Sequence, residues 1–354
     1  MSVHGALRRW TLLAFGLGLA GSAFALTDTA GTSFIPIYAY DAVDRSLFGA
    51  AGYWYDPRLK GYSYGGYLTS NLHNAFYLNT QDEQRGWGSW DVSLNVTLSK
   101  AYQYYYGEGK QTPLYNPLQI FSNQVIAQAL ALYRVDPAFF TGPYVDLRGH
   151  EGTGLAATVG TLPPGTVQPF PNELSPAVGW LVKWEGRDNL LNSTRGYYLT
   201  LDGQTLPGSF GPGFAKQESW QADADGRLFT PLPGSLVWAQ HLSLGFSQGD
   251  PTFMYRYYLG GTTLLRGYED DRFRGKNYYC VQEELRVPVW RMFAVALSTD
   301  LGNITDGGLD LPKVTYQAGL RIGLPPDWGM KARIDFGYAP AGDTSFAFQF
   351  GQTF

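Results

Sequence analysis

Apolar and polar side chains alternate along the last stretch of the chain. From Ser345 onward, Phe346, Phe348, Phe350 and Phe354 fall on one face of an extended strand, with Ser345, Ala347, Gln349, Gly351 and Thr353 on the other. The segment before it sets Ala332, Ile334, Phe336 and Tyr338 against Lys331, Arg333, Asp335 and Gly337. An earlier one sets Val314, Tyr316, Ala318, Leu320 and Ile322 against Thr315, Gln317, Gly319, Arg321 and Gly323. A period of two predicts β-strands with one apolar and one polar face. Sixteen such strands are predicted, near 34–41, 46–55, 62–70, 73–80, 89–98, 122–134, 138–149, 176–187, 196–203, 216–229, 236–246, 279–289, 292–301, 313–323, 330–339 and 345–354. The fold class is all-β.

A soluble sandwich alternates in the same way, so the period does not name the solvent. The number of strands, their length and their aromatic flanks favour a transmembrane antiparallel β-barrel. Each spanning strand needs about 9–11 tilted residues, and sixteen strands with mostly short turns use the available chain. An even count suits a closed bacterial barrel, and closure removes the sheet edges that hydrocarbon cannot solvate. The register then sends Arg321, Lys331, Arg333 and Asp335 to the lumen. Facing lipid at mid-membrane would cost about 2–4 kcal/mol for each lysine or arginine.

The N-terminus reads as a secretory signal. Arg8 and Arg9 precede an apolar stretch from Trp10 to Ala20 and a small-residue site at Ala23-Phe24-Ala25. The expected organisation is a signal peptide over 1–25, a short lead over 26–33 and an outer-membrane barrel over 34–354. No later apolar run approaches the ~20 residues of a spanning helix. Aromatic residues make up 16% of the chain, with 25 Tyr and 10 Trp, which suits strand ends lying in interfacial belts.

Charge and chemistry exclude more than they identify. The net charge of −4 gives no basic footprint for nucleic acid. Cys280 is the single cysteine, so no internal disulfide is expected. His4, His73, His150 and His241 lack metal-ligand spacing, and neither a metal nor a cofactor is expected. A membrane enzyme would need a nucleophile beside a base. His241 is predicted to face the lumen with no serine nucleophile motif near it, so no catalytic residue is assigned.

Residues 107–119 and 150–175 are rich in Gly, Pro and Thr and read as loops. A third stretch, 248–278, carries Glu269, Asp270, Asp271, Arg272, Arg274 and Lys276 around Leu265-Arg266-Gly267-Tyr268.

Five pieces of the chain, in order, resemble the BamA/TamA superfamily of outer-membrane assembly barrels, the bacterial surface antigen family. They are the hairpin from Phe34 to Gly52, Arg187-Asp188-Asn189 with Thr194-Arg195-Gly196-Tyr197, Leu259-Gly260-Gly261-Thr262 through Arg266-Gly267-Tyr268, Thr299-Asp300-Leu301-Gly302-Asn303, and Phe350-Gly351-Gln352-Thr353-Phe354. The resemblance implies a sixth extracellular loop folded inward, and the charged stretch lies between strands 11 and 12 of the count above. It implies that Arg266, with Gly267 and Tyr268 at the loop tip, meets a lumen carboxylate. Parity puts Asp300 in the lumen, opposite Val295 and Leu297, with Glu284 and Asp335 as rival partners.

The resemblance also implies a seam between the first and last strands, where Pro36 and Gly351 are candidate irregularities. Phe350 and Phe354 resemble a C-terminal assembly signal, which would make the chain a client of the outer-membrane assembly machinery. The family's assembly factors carry periplasmic POTRA modules, and only about eight residues separate the expected cleavage site from strand 1. Assistance in inserting or translocating envelope proteins is therefore expected to need a POTRA-bearing or other envelope partner, alongside outer-membrane lipids. The alternative is a structural barrel or passive pore plugged by its sixth loop.

Overall fold

The computed structural model describes residues 31–41, 45–55, 62–69, 74–81, 89–109, 117–157, 172–189, 192–207, 218–305, 310–323, 331–350, 352 and 354. The expected signal peptide and Gly351 lie outside the described residues. The strands are β1 (Gly31–Asp41), β2 (Arg45–Tyr55), β3 (Tyr62–Thr69), β4 (Asn74–Gln81), β5 (Trp90–Tyr105), β6 (Leu118–Arg134), β7 (Phe139–Ala157), β8 (Glu173–Glu185) and β9 (Gly196–Leu206). They continue as β10 (Ser219–Leu232), β11 (Leu236–Gly249), β12 (Tyr257–Leu259), β13 (Phe273–Gly275), β14 (Asn277–Trp290), β15 (Phe293–Thr305), β16 (Lys313–Gly323), β17 (Lys331–Tyr338) and β18 (Thr344–Phe350). Antiparallel ladders join β1 to β11 and β14 to β18 in chain order into one sheet, and β12 pairs only with β13. Each strand thus lies beside its sequence neighbour. The longest connection, 250–276, joins β11 to β14.

The sheet is inside out by the standards of a soluble protein. On β10, Gln221, Asp223 and Asp225 are buried while Trp220 and Leu228 are 42% and 47% exposed. On β11, His241 and Ser243 are buried while Leu242, Leu244 and Phe246 are exposed. Buried polar groups beside exposed large apolar ones are the informative combination, because water would select the reverse. Rings mark the two edges of the apolar face. Tyr316, Tyr338, Phe346 and the Trp220–Phe246 pair, with centroids 5.4 Å apart, lie toward the end bearing the 250–276 connection. Tyr197, Trp238, Trp290 and the Trp90–Tyr133 pair, at 5.3 Å, lie toward the other. Trp238 and Phe246 are eight positions apart, about 26 Å along a strand, and their separation matches an apolar band.

The polar face curves around residues 250–276. That one connection touches β5 through Gln103 and Asp271, β7 through Arg148 and the Met254 carbonyl, β15 through Asp300, and β17 through Arg333 and the Thr262 carbonyl. Strands remote from each other in the ladder order share one short segment, which a flat sheet does not allow.

Three expectations need correction. Residues 118–119, 150–157 and 173–175 were predicted as loop and are strand, because β6 and β7 run on together past a bulge at Phe121/Ser122. Glycine at 152 and 154 suggests a loop, yet cross-strand pairing holds it extended. Phe354 does not follow the alternation of Phe346: β18 ends at Phe350, and Phe354 is buried against Phe229 and Ala239 on the polar face. Nor is the polar face polar throughout, since Leu130, Leu132, Phe140, Tyr144 and Leu181 form an apolar cluster on it.

If hydrocarbon covers the apolar face, charge should be tolerated at its edge and not at its centre. Leu242→Arg, midway along β11, is expected to cost about 2–4 kcal/mol, and Val289→Arg, at the end of β14, about 0–1 kcal/mol. Urea unfolding in lipid vesicles, followed by tryptophan fluorescence, measures both. Equal costs would mean that lipid does not cover this face.

Candidate functional site

Glycine geometry shapes the 250–276 connection. Gly260, Gly261 and Gly267 have φ of 115°, 88° and 109°, in the left-handed region that residues with a Cβ disfavour. Gly260 donates to the Leu264 carbonyl at 3.1 Å, and Gly261 to the Tyr268 carbonyl at 3.0 Å, so the tip doubles back on itself. At the apex Gly267 lies against Gly337 of β17, where a Cβ on Gly337 would come 2.7 Å from the Gly267 Cα. Two glycines let the tip backbone rest directly on the wall.

Apolar packing holds the rest of the hairpin. Tyr257, Leu259, Leu264, Leu265, Tyr268 and Phe273 from the connection cluster with Tyr278, Cys280, Ile304 and Ala339. Burying a Leu or Phe side chain contributes about 1.5–3 kcal/mol, so these contacts dominate retention of the segment. Farther from the tip, the Tyr255 hydroxyl donates to the Asp146 and Ser175 carbonyls at 2.9 and 3.1 Å, under the Arg148 guanidinium 4.3 Å from its ring. Phe253 and Met254 pack with Ile120 and Ile126.

The tip arginine sits in a dense ionic site. Arg266 Nε and Nη2 donate to the two Asp300 oxygens at 2.9 and 2.6 Å, and Nη1 reaches Glu284 at 3.3 Å. Its main-chain N–H also donates to Asp300 at 2.8 Å, and its carbonyl accepts from Gln317 at 2.7 Å. Gln282 donates to Asp300 at 2.8 Å and to the Thr263 carbonyl at 2.9 Å. A fork of two parallel bonds fixes orientation as well as charge. Burial opposes the charged guanidinium, but Asp300 and, behind it, Glu284 outweigh that and raise Arg266 above the ordinary arginine value.

Of the three sequence candidates, Asp300 takes the fork and Glu284 a single bond. Asp335 instead binds Arg321 at 2.5 Å and Arg333 at 3.3 Å. Arg321 also reaches Glu284 at 3.1 Å, and Arg333 donates to the Thr262 carbonyl at 3.2 Å. Lys331 is half-buried at the far end of β17. Tyr268 is buried, its ring 4.9 Å from Phe273. Pro36 lies within β1, opposite Ala50 of β2, in the first strand of the sheet order.

Sequence reasoning passed over Arg286. It donates to Glu284 at 2.8 Å, to the Ser193 carbonyl at 3.1 Å and to the Phe354 main-chain oxygen at 3.0 Å. Its parity with Glu284 on β14 was a usable signal. The loop charges also gain roles: Glu269 accepts from Tyr106, Asp271 from Gln103 and Arg274, and Arg272 faces Asp343 at 3.6 Å. Burial, then Glu269, pushes the Tyr106 phenol up. Among the described residues no cluster of His, Cys, Asp and Glu has the arrangement of a metal site.

Comparison with known proteins places this architecture. Among solved structures, BamA from Haemophilus ducreyi lacking POTRA domains 1–3 superimposes with a TM-score of 0.60 at 12% identity, covering 92% of this chain and 70% of that one. CdiB from Acinetobacter baumannii gives 0.56 at 15% identity, covering 92% and 60%. CdiB from Escherichia coli gives 0.58 at 12%, covering 93% and 63%. The chain thus spans less than two thirds of either CdiB, and at these identities the likeness is one of fold. No curated protein matches by sequence. A sequence model described as the Omp85 superfamily domain matches residues 173–354, more than half of the chain, and that stretch includes Arg266, Glu284 and Asp300. The chain belongs to the Omp85 superfamily of outer-membrane β-barrels.

Proposed function

We propose that this protein is a closed sixteen-strand barrel, residues 34–354 after removal of a signal peptide near Ala25, which assists insertion or translocation of envelope proteins. The 250–276 connection is its sixth extracellular loop, folded into the lumen. Periplasmic capture of clients falls to a partner. The observation that carries this reading is the loop arginine forked onto Asp300 and backed by Glu284, because it fixes the loop against the inner face of the wall. Pro36 within β1 and Gly351 just past β18 support a seam able to pair with a client strand. Phe350 and Phe354 fit an assembly signal read before folding, so the inward seat of Phe354 in the folded chain does not conflict with it.

A second reading is a structural barrel or passive pore. It is favoured by the apolar cluster that seals the loop to the wall.

Two experiments separate these readings. Depleting the protein is expected to lower the abundance or folding of other outer-membrane proteins, read by quantitative proteomics of the envelope; an unchanged composition would remove the insertion reading. Arg266→Ala leaves buried Asp300 without its guanidinium and is expected to destabilise the folded barrel by about 3–5 kcal/mol. Arg266→Lys keeps the charge without the fork and should fall between. If the barrel is a plugged pore, planar-bilayer conductance should rise with Arg266→Ala; a silent membrane with both forms would count against a pore.

A further inference from the structure

Glu284 is fully buried and shared by three guanidiniums. One oxygen faces Arg266 of the loop at 3.3 Å and Arg321 of β16 at 3.1 Å, and the other accepts from Arg286 at 2.8 Å. Arg286 and Arg321 each use another N–H for the segment that follows β18. Arg286 donates to the Phe354 main-chain oxygen at 3.0 Å, and Arg321 to Gln352 Oε1 at 3.2 Å. Gln352 in turn donates to Asn192 at 2.8 Å, beside Ser193, whose carbonyl Arg286 also holds. The Phe354 ring packs on Phe229 and Ala239, 5.0 Å from the His241 ring and 5.8 Å from the Arg286 guanidinium. One carboxylate therefore stands between the arginine that seats the loop and the two arginines that seat the end of the last strand.

We propose that Glu284, through Arg286 and Arg321, couples the inward position of the loop to the seating of Gln352 and Phe354. With Arg266 in place, Asp300 and Glu284 are both matched, and Arg286 and Arg321 have donors left for the segment after β18. Withdrawing Arg266 leaves Asp300, which is fully buried, without its guanidinium. The guanidiniums linked to Arg266 through a shared carboxylate are Arg286 and Arg321, both on Glu284. Their movement toward the bared carboxylate takes them off Phe354 and Gln352. Among the described residues the site joins four arginines (266, 286, 321 and 333) to three carboxylates (284, 300 and 335), and losing Arg266 leaves one guanidinium for each carboxylate. Seated loop and seated segment favour each other. By linkage the effect is reciprocal, so loosening the segment also loosens the loop. Glu284, Arg286 and Arg321 are positioning residues in this scheme, and it holds whatever the barrel inserts or conducts.

The test places 4-fluorophenylalanine at position 354 of the full chain, folded in detergent, and reads the label by 19F NMR. Fold is checked by heat-modifiable gel migration. Stacking near His241 and Arg286 gives a seated segment a ring-shifted line, distinct from that of a free one. Arg266→Ala is expected to raise the unseated fraction about fivefold or more. With Glu284→Gln already present, Arg266→Ala should change that fraction no further. Arg286→Lys is the second background should Glu284→Gln not fold, and it too should abolish the response. An unchanged line in Arg266→Ala overturns the coupling. A rise of equal size with and without these background substitutions overturns the role of Glu284.

Discussion

Hydrocarbon solvates neither a peptide N–H nor a side-chain charge, and most of this structure answers that one constraint. A chain whose apolar face meets lipid must turn every backbone donor into a ladder and every ionic group inward. Here both consequences appear on the same strands. β10 sends Trp220 and Leu228 outward and Gln221, Asp223 and Asp225 inward, and their cross-strand neighbours on β9 and β11 do the same. The ladder fixes the parity, and a slip of one residue would exchange the two faces.

Gathering charges on one concave face creates a second problem, since each must find a partner away from bulk water. The wall supplies part of the answer along its own strands, as in Arg227 with Asp225 at 2.8 Å and Arg286 with Glu284 at 2.8 Å. Residues two apart on a strand share a face, which makes this pairing local. The loop supplies the rest by bringing Arg266, Arg272 and Arg274 to carboxylates on the wall, on the turn after β17 and within the loop itself. Wall and loop are electrostatically incomplete without each other.

What the sequence discloses follows from the range of each interaction. Strand positions, the inward parity of Arg321, Arg333, Asp335 and Asp300, and the loop that carries Arg266 depend on neighbours a few positions away or on a short motif. Arg286 was equally legible by parity and was missed because no motif marked it. The Arg148–Met254 contact joins positions 106 apart, and no local pattern predicts it. Phe354 misled for a related reason. Alternation holds only while a strand lasts, and beyond Phe350 the direction of the chain is set by an aromatic seat and an arginine on distant strands. Strand ends near 118, 157 and 173 were misjudged because glycine was read as a breaker where a ladder, which glycine residues can join, continues.

Magnitudes also indicate which part of the barrel is easier to move. Buried ion pairs add little net stability, because desolvating both partners offsets their attraction, so the Arg266 fork fixes where the tip rests more than how tightly it is held. The apolar cluster does the holding: six loop side chains are buried in it, which contributes at most about 9–18 kcal/mol. Swinging the loop out therefore means losing that burial as well as exposing Asp300 and Glu284. Parting the end of the sheet asks for less. Among the described residues β18 pairs with β17 over seven positions, and Gln352 and Phe354 are held by a few hydrogen bonds and one ring. On the reading proposed above, parting the last strand disturbs the described contacts less than displacing the loop, which gives the loop the character of a fixed brace and leaves the last strand as the part that yields.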